Sequence, residues 1–506
     1  MNSPQCLEVR QIGHKVFTEE DQCFFALASG DCNPMHVNPI AARRLITGKQ
    51  VVHGIHVLLT GIEYLQNASD LLRPSVSCTF SSAISVGDHV LFTQKSRRDQ
   101  EVVIDASVNG VVCARIVIGP APEKDENGSG LARGENARSC DEILIDRLSA
   151  PLDKAADDHR NKRYLINLSE PDLWREFPRS CHYFGPQRLA AILSLSYFVG
   201  MVCPGLHSIF SAVKLDLGEE PKDTARLSFS VEDYDERFRL FRIAVSGCIS
   251  GNIEAFVRPE PQRQPLLREL AGQVRSEDFK GTKSLIIGGS RGLGEITAKI
   301  IAAGGGDVVI TYACGAEDAR CVSYDINEYG SGSCETLKLD LVADSLESMS
   351  IGVDSLDAVY FFATPRIYRK KAGLFEPRLF REFLEFYIEG FYELCRYLEG
   401  RVQSRKIRVY LPSSVFVSER PDGLTEYAMA KAAAEVMVED MNKHSRKLTV
   451  VATRLPRLNT DQTSSILRLP TESNLRALLP IIRRVTGERH QGDQIPTVGR
   501  LTLHNG

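Results

Sequence analysis

At 506 residues the chain exceeds the roughly 100–200 residues of one domain and calls for several. A composition of 43% hydrophobic and 25% charged residues excludes a mostly disordered chain. Lys and Arg number 61 against 65 Asp and Glu, a net charge of −4, which excludes a general nucleic-acid binder with its basic excess or stripe.

The first twenty residues are polar and charged, without the apolar core of a signal peptide. The most continuous apolar stretch, Ala190 to Val202, is broken by serines and falls short of the ~20 residues that span a bilayer. Thirteen cysteines lie scattered without CxxC pairs, which speaks for reduced thiols in a cytoplasmic protein and against a structural metal site. Two stretches read as linkers: Pro120 to Ala137, rich in Gly, Asn and charge, and Arg258 to Pro265, with three prolines. The expected domains are residues 1–120, 140–258 and 281–506, with linkers over 121–139 and 259–280.

Residues Phe25 to His36 read FALASGDCNPMH. Asp31 and His36 are separated by Asn33-Pro34, which favours a turn, and a turn can aim both groups at one point. A carboxylate beside an imidazole can hold a water and move protons both ways, as adding or removing water across an activated double bond requires. The spacing alone would serve equally to cap a turn around a packed histidine. Gly54, in VVHG ahead of an apolar helical run, places a backbone N–H where a thioester oxygen gains charge.

Residues 15–65 thus resemble the MaoC-like, (R)-specific enoyl-thioester hydratase family of the hot-dog fold. The resemblance implies Asp31 and His36 as the acid/base pair, Asn33 as a supporting polar residue and Gly54 as the oxyanion donor. The second segment repeats the first in outline. VCPGLHSIFSA lays Gly205 over Gly54 and His207 over His56, and the hairpin turns are expected at Asn109-Gly110 and Ser250-Gly251. Counting back from Gly205, His182 and Gln187 stand where Asp31 and His36 would, so this copy is degenerate and structural. His53, His56, His182 and His207 read as packing or surface histidines.

The third segment alternates strands and helices: KSLII, a glycine turn, EITAKIIAAGG, DVVITY, DAVYFFAT, a helix over Arg378 to Glu399, and RKIRVYLPSS. That alternation argues for a doubly wound parallel sheet of the Rossmann type. In IGGSRGLG, the residues Gly288, Ser290, Arg291, Gly292, Leu293 and Gly294 suit a pyrophosphate at a helix start, and Asp340 suits an adenine contact. The second strand ends at Tyr312 rather than an acidic residue. Arg291 can instead meet a 2′-phosphate, which favours NADPH over NAD.

Tyr427 and Lys431 lie on one helix face, where the ammonium would lower the phenol towards the working pH. Ser414 ends the preceding strand. Loop, Asp340, serine and Y-x(3)-K in this order resemble the short-chain dehydrogenase/reductase family over residues 281 to about 460. Three departures stand out: Phe361-Phe362-Ala363-Thr364 in place of NNAG, Tyr387 in place of an asparagine, and Pro456-Arg457 in place of Pro-Gly.

The expectation is a multidomain α+β and α/β protein, two hot-dog units followed by a Rossmann domain. It would combine NADPH-dependent reduction of 3-oxoacyl thioesters with reversible (R)-3-hydroxyacyl/trans-2-enoyl hydration, on acyl-CoA or acyl-carrier-protein substrates. The resemblance adds an expected homo-oligomer; charge, hydropathy and cysteine spacing add the expectation of no nucleic acid, membrane span or metal. Rival readings are a hydratase with an impaired reductase, a non-catalytic nucleotide-binding scaffold, and a sugar-nucleotide reductase.

Overall fold

The computed structural model describes residues 9–65, 74–96, 101–120, 141–168, 176–217, 225–349, 351–369, 371–403, 405–464, 470–487 and 498–500. The expected linker over 121–139 lies outside them. The chain divides into two compact units, one reaching Glu260 and one starting at Pro261. Among the described residues no helix is long and apolar enough to cross a membrane.

The first unit is one eleven-stranded sheet. Its strands are β1 (Val9–Val16), β2 (Pro74–Phe80), β3 (His89–Ser96), β4 (Val102–Val108), β5 (Val111–Pro120), β6 (Asp141–Ile145), β7 (Lys162–Asn167), β8 (Ser208–Asp216), β9 (Arg226–Asp235), β10 (Leu240–Ser246) and β11 (Ser250–Val257). The order is β1-β3-β4-β5-β2-β8-β11-β10-β9-β7-β6. Read outward from the β2–β8 seam, β2-β5-β4-β3-β1 matches β8-β11-β10-β9-β7, so the same topology occurs twice, with β6 added parallel to β7. The two halves are one hydrogen-bonded surface: β2 pairs antiparallel with β8 from Ser75–Asp216 to Thr79–Ala212.

Each half carries a largely buried helix just ahead of its seam strand, β2 or β8. In the first it is Gly54–Glu63, whose residues Ile55 to Ile62 are all buried. A helix apolar around its whole circumference must be wrapped by the sheet rather than laid on its surface. Gly61 permits the close approach, since a Cβ there would stand 2.5 Å from Ile116 Cδ1 on β5. The second half's helix is Pro186–Tyr197, continued by one wide π turn, Phe198–Val202.

This placement corrects the register of the repeat. Gly54 opens its helix, whereas Gly205 follows the second helix and begins a single 3₁₀ turn that feeds β8. The counterpart of Gly54 is the start of the Pro186 helix, capped by Gly185. The G-x-H string shared by the two segments is a short coincidence, so His182 and Gln187 are not the counterparts of Asp31 and His36. The Asn109-Gly110 turn forms as expected, both residues at positive φ (50° and 78°), the backbone of a type I′ hairpin. Ser250-Gly251 is not a turn. Both residues lie in β11, the chain reverses one step earlier around Gly247, and Gly251 (φ 151°) faces Lys214 O so closely that a Cβ would stand 2.0 Å away. The glycine marks a close approach of two backbones.

The second unit is a seven-stranded, all-parallel sheet of β12 (Lys283–Ile287), β13 (Asp307–Tyr312), β14 (Cys334–Lys338), β15 (Ala358–Phe361), β16 (Ile407–Ser414), β17 (Leu448–Leu455) and β18 (Val498–Arg500). Its order is β14-β13-β12-β15-β16-β17-β18. The direction of winding reverses between β12 and β15, and ligands of such sheets bind in the crevice beyond the carboxyl ends of the strands at that point. The expected helix over Arg378 to Glu399 is present in three pieces: Pro377–Leu384, a π segment Glu385–Gly390 that holds Tyr387, and Phe391–Arg401.

Candidate active sites

In the first unit, local chain chemistry aims Asp31 and His36. The helix Glu19–Ser29 starts with a capping box at Thr18 and ends at Gly30, in the left-handed conformation (φ 86°) that stops a helix cleanly. Three residues on, the Asn33 side chain accepts from Met35 N at 3.1 Å and caps the one-turn helix Pro34–Val37, which carries His36. The Asp31 carboxylate and the His36 and His53 rings are all buried, and one polar atom from each lies within 4.8 Å of the others.

The Val51 carbonyl fixes the His36 tautomer. His36 Nδ1 is 2.6 Å from Val51 O, an acceptor only, so Nδ1 carries the hydrogen and Nε2 keeps its lone pair. Burial pushes the Asp31 carboxyl above its ordinary range, against the opposing pull of His36 and of hydrogen bonds from Ser196 and Asn33 N. Burial likewise pushes His36 down, with Asp31 and the Val51 contact opposing and the Arg258 charge adding to the fall.

His53, read from sequence as a packing or surface histidine, belongs to this site. Its ring stacks on His36 at 3.8 Å between centroids, its Nε2 sits 3.0 Å from Asp31 O, and its Nδ1 and backbone N both meet Gln22 Oε1. Burial, then the neighbouring His36, hold it well below the usual imidazole range. Both His53 ring nitrogens face oxygen atoms, and so does His36 Nδ1. His56 packs between Phe17 and Phe25 and is pushed by burial to about 3. His182 is exposed, and His207 pairs with Asp153 at 3.3 Å.

Two contacts reach Asp31 from the second half of the sheet. Ser196 Oγ donates to Asp31 Oδ2 at 2.7 Å, and Gly200 lies so close that a Cβ there would stand 2.1 Å from Asp31 Oδ1. Asn33 Nδ2 donates to Gly200 O (2.8 Å) and Gly205 O (3.1 Å). Gly54, directly after His53, is the first residue of its helix, where the backbone N–H has no partner within the helix.

In the second unit the glycine loop follows β12. Gly288 (φ 78°) packs against the Ala363 backbone, and a Cβ on Gly294 would stand 2.2 Å from Gly288 O, so the turn tolerates no side chain there. Ser290 is buried in the loop, Gly292 (φ 59°) starts the helix Gly292–Ala303, and Leu293 turns to the core. A loop of small residues at a helix start is a form that can take a pyrophosphate. Arg291 precedes the helix with Nη1 3.6 Å from Asp461 Oδ2, and Tyr312 ends β13. Asp340 caps a turn after β14, accepting from Val342 N at 3.1 Å.

Ser414 ends β16, and Tyr427 and Lys431 share the helix Thr425–His444. The three converge, but their electrostatics differ from the sequence expectation. Burial raises the Tyr427 phenol above its usual value, with the Ser414 hydrogen bond acting against it. Lys431 does not lower it, because its Nζ donates to Pro412 O at 2.8 Å and lies over the Tyr387 ring, 3.6 Å from the centroid, against 5.8 Å for Tyr427. Burial brings Lys431 down to about 7. The Tyr387 hydroxyl is tied to Thr364 Oγ1 at 2.5 Å.

Residues 8–102 match the family model described as MaoC like domain. Among curated proteins, none matches the sequence. Solved structures similar to the chain include an oxidoreductase from Escherichia coli (17% identity, covering 47% of this chain and 98% of that one, TM-score 0.39). A short chain dehydrogenase from Salmonella enterica serovar Typhi CT18 is similar at 17% identity, 45% and 98% coverage and TM-score 0.38. One from Burkholderia cenocepacia J2315 in complex with NADP is similar at 20% identity, 41% and 92% coverage and TM-score 0.34. The chain therefore carries a MaoC-like domain over residues 8–102, and its second unit is a parallel sheet wound in both directions from a glycine-rich loop.

Proposed function

We propose that the chain is a two-site acyl-thioester enzyme, a hydratase/dehydratase in its first unit and an NADPH-dependent 3-oxoacyl reductase in its second. The observation that carries this reading is the buried convergence of Asp31 and His36, one raised and the other lowered in proton affinity. In hydration, one of the two takes a proton from water as the oxygen adds to C3 of an enoyl thioester, and the other delivers a proton to C2. The Gly54 N–H stabilises the thioester oxygen as it gains enolate charge. Dehydration is the same path reversed. The repeated strand order supports reading residues 140–258 as a second, degenerate hot-dog unit.

In the second unit the Gly288–Gly294 loop and the start of the Gly292 helix would hold a dinucleotide pyrophosphate. Asp340 would meet the adenine and Arg291 a 2′-phosphate, in exchange for Asp461. When bound, the reduced nicotinamide supplies hydride. Tyr427, held protonated by burial, donates its proton to the ketone oxygen, Ser414 bonds that same oxygen, and Lys431, brought down to about 7, can return a proton to Tyr427.

The purified chain is expected to hydrate crotonyl-CoA, followed as loss of the conjugated absorbance, and to oxidise NADPH in the presence of acetoacetyl-CoA. Absence of hydration would remove the first half of the reading. One observation favours a second reading, a hydratase alone: the Tyr387 ring covers Lys431, closing the face from which its proton would be resupplied. Hydration without NADPH oxidation selects that reading.

A further inference from the structure

Resting on the acid–base reading of Asp31 and His36, we infer that Ser196 and Gly200 are positioning residues of that site. The second half of the sheet is thereby the mould for the acid–imidazole pair of the first.

A buried helix serine ordinarily returns its hydroxyl to the carbonyl four residues back. Ser194 does so, donating to Ala190 O at 2.9 Å. Ser196, two residues on in the same helix and 3% exposed, sends its hydroxyl across to Asp31 Oδ2 instead. The helix then opens into the wide π turn Phe198–Val202, a distortion that often marks functional sites. That turn brings the bare Cα of Gly200 against Asp31 Oδ1 and presents the Gly200 carbonyl to Asn33 Nδ2. One carboxylate oxygen is thus held by a hydroxyl and the other by Asn33 N and a side-chain-free wall. If the contact served folding alone, an apolar pair would fill the same space without burying a carboxylate.

The ionisable groups around Asp31 are His36 and His53, the latter with Nε2 3.9 Å from Asp31 Oδ2. Beyond them, the charge of Arg258 reaches His36, and that of Arg147 reaches Cys32 beside Asp31. A hydroxyl donated to the ionised carboxylate favours the anion, so its removal moves the acid limb of the pH–rate profile to higher pH.

The test compares crotonyl-CoA hydration by wild type, Ser196→Ala, Ser196→Thr and Asp31→Asn. Ser196→Ala is expected to lose about 10- to 100-fold in kcat, as for one hydrogen bond to a charged group. Its KM should stay unchanged, its acid limb should move to higher pH, and Ser196→Thr should restore both. Where Ser196→Ala melts early, the near-isosteric Ser196→Cys gives the same comparison. A Ser196→Ala enzyme with wild-type kcat and an unmoved limb, alongside an inactive Asp31→Asn, overturns the positioning role and leaves the acid–base reading standing. Wild type without hydration, or Asp31→Asn with full activity, overturns both.

Discussion

Buried in one small space, Asp31 and His36 are driven by the same loss of water in opposite directions, the carboxyl up and the imidazole down. Their proton affinities approach one another, so a proton can pass either way through a bound water with little bias. The acid limb of hydration should therefore lie below the ordinary imidazole pKa of about 6.5 and belong to the pair rather than to either residue. A limb at or above that value would contradict the burial argument. Lys431 offers a second titration. Its amine sits at about 7 rather than the usual 10.5. Between those values the unfolded chain holds the extra proton, so the stability of the second unit should rise as pH climbs through that interval. Thermal melts near pH 6 and pH 9 check the slope, which Lys431→Met should flatten. Tyr387→Asn should admit water beneath Lys431, raise ketone reduction and shift its alkaline limb upward. Asp31 and His36 were legible because a turn of a few residues joins them. Ser196 was not, because its contact spans 165 positions of sequence. His53 carried a signal, its place beside Gly54 in VVHG, but a lone histidine before an apolar helix reads more readily as core.

At the level of elements, glycines decide where backbones touch. Gly61 lets the wrapped helix settle on β5, and only the flexible end of Ile116 stands in the way of a side chain. Gly61→Ala should cost about 1–3 kcal/mol by overpacking, read as a fall in the melting temperature of the first unit. Gly251→Ala is the harsher change, because φ is 151° and the obstacle is the Lys214 backbone. A loss of about 1–3 kcal/mol from the strained backbone alone, with the clash added, is expected from denaturant melts. The same glycine explains a misread element. Ser-Gly between two β-rich runs is a turn signal in sequence, yet the bare Cα is needed inside the strand, where two backbones meet. The doubly wound sheet was readable because its strands and helices alternate plainly. The register of the repeat was not, because a three-residue string begins a helix in one half and follows one in the other.

Across the whole molecule the two proposed chemistries draw on different side chains in different units. Asp31→Asn should therefore abolish hydration and spare NADPH oxidation, and Tyr427→Phe should do the reverse, each measured on the full chain. Loss of both activities in either variant would argue against two independent sites. The seam between β2 and β8 carries a further consequence. Two separate subunits sharing such a sheet would part on dilution, and each would have to keep every feature of its own centre. Here the partner strand is always present at a fixed, intramolecular concentration. Specific hydration activity should thus stay constant down to the lowest enzyme concentrations an assay can follow. A half relieved of reacting could diverge in every residue except those its neighbour leans on.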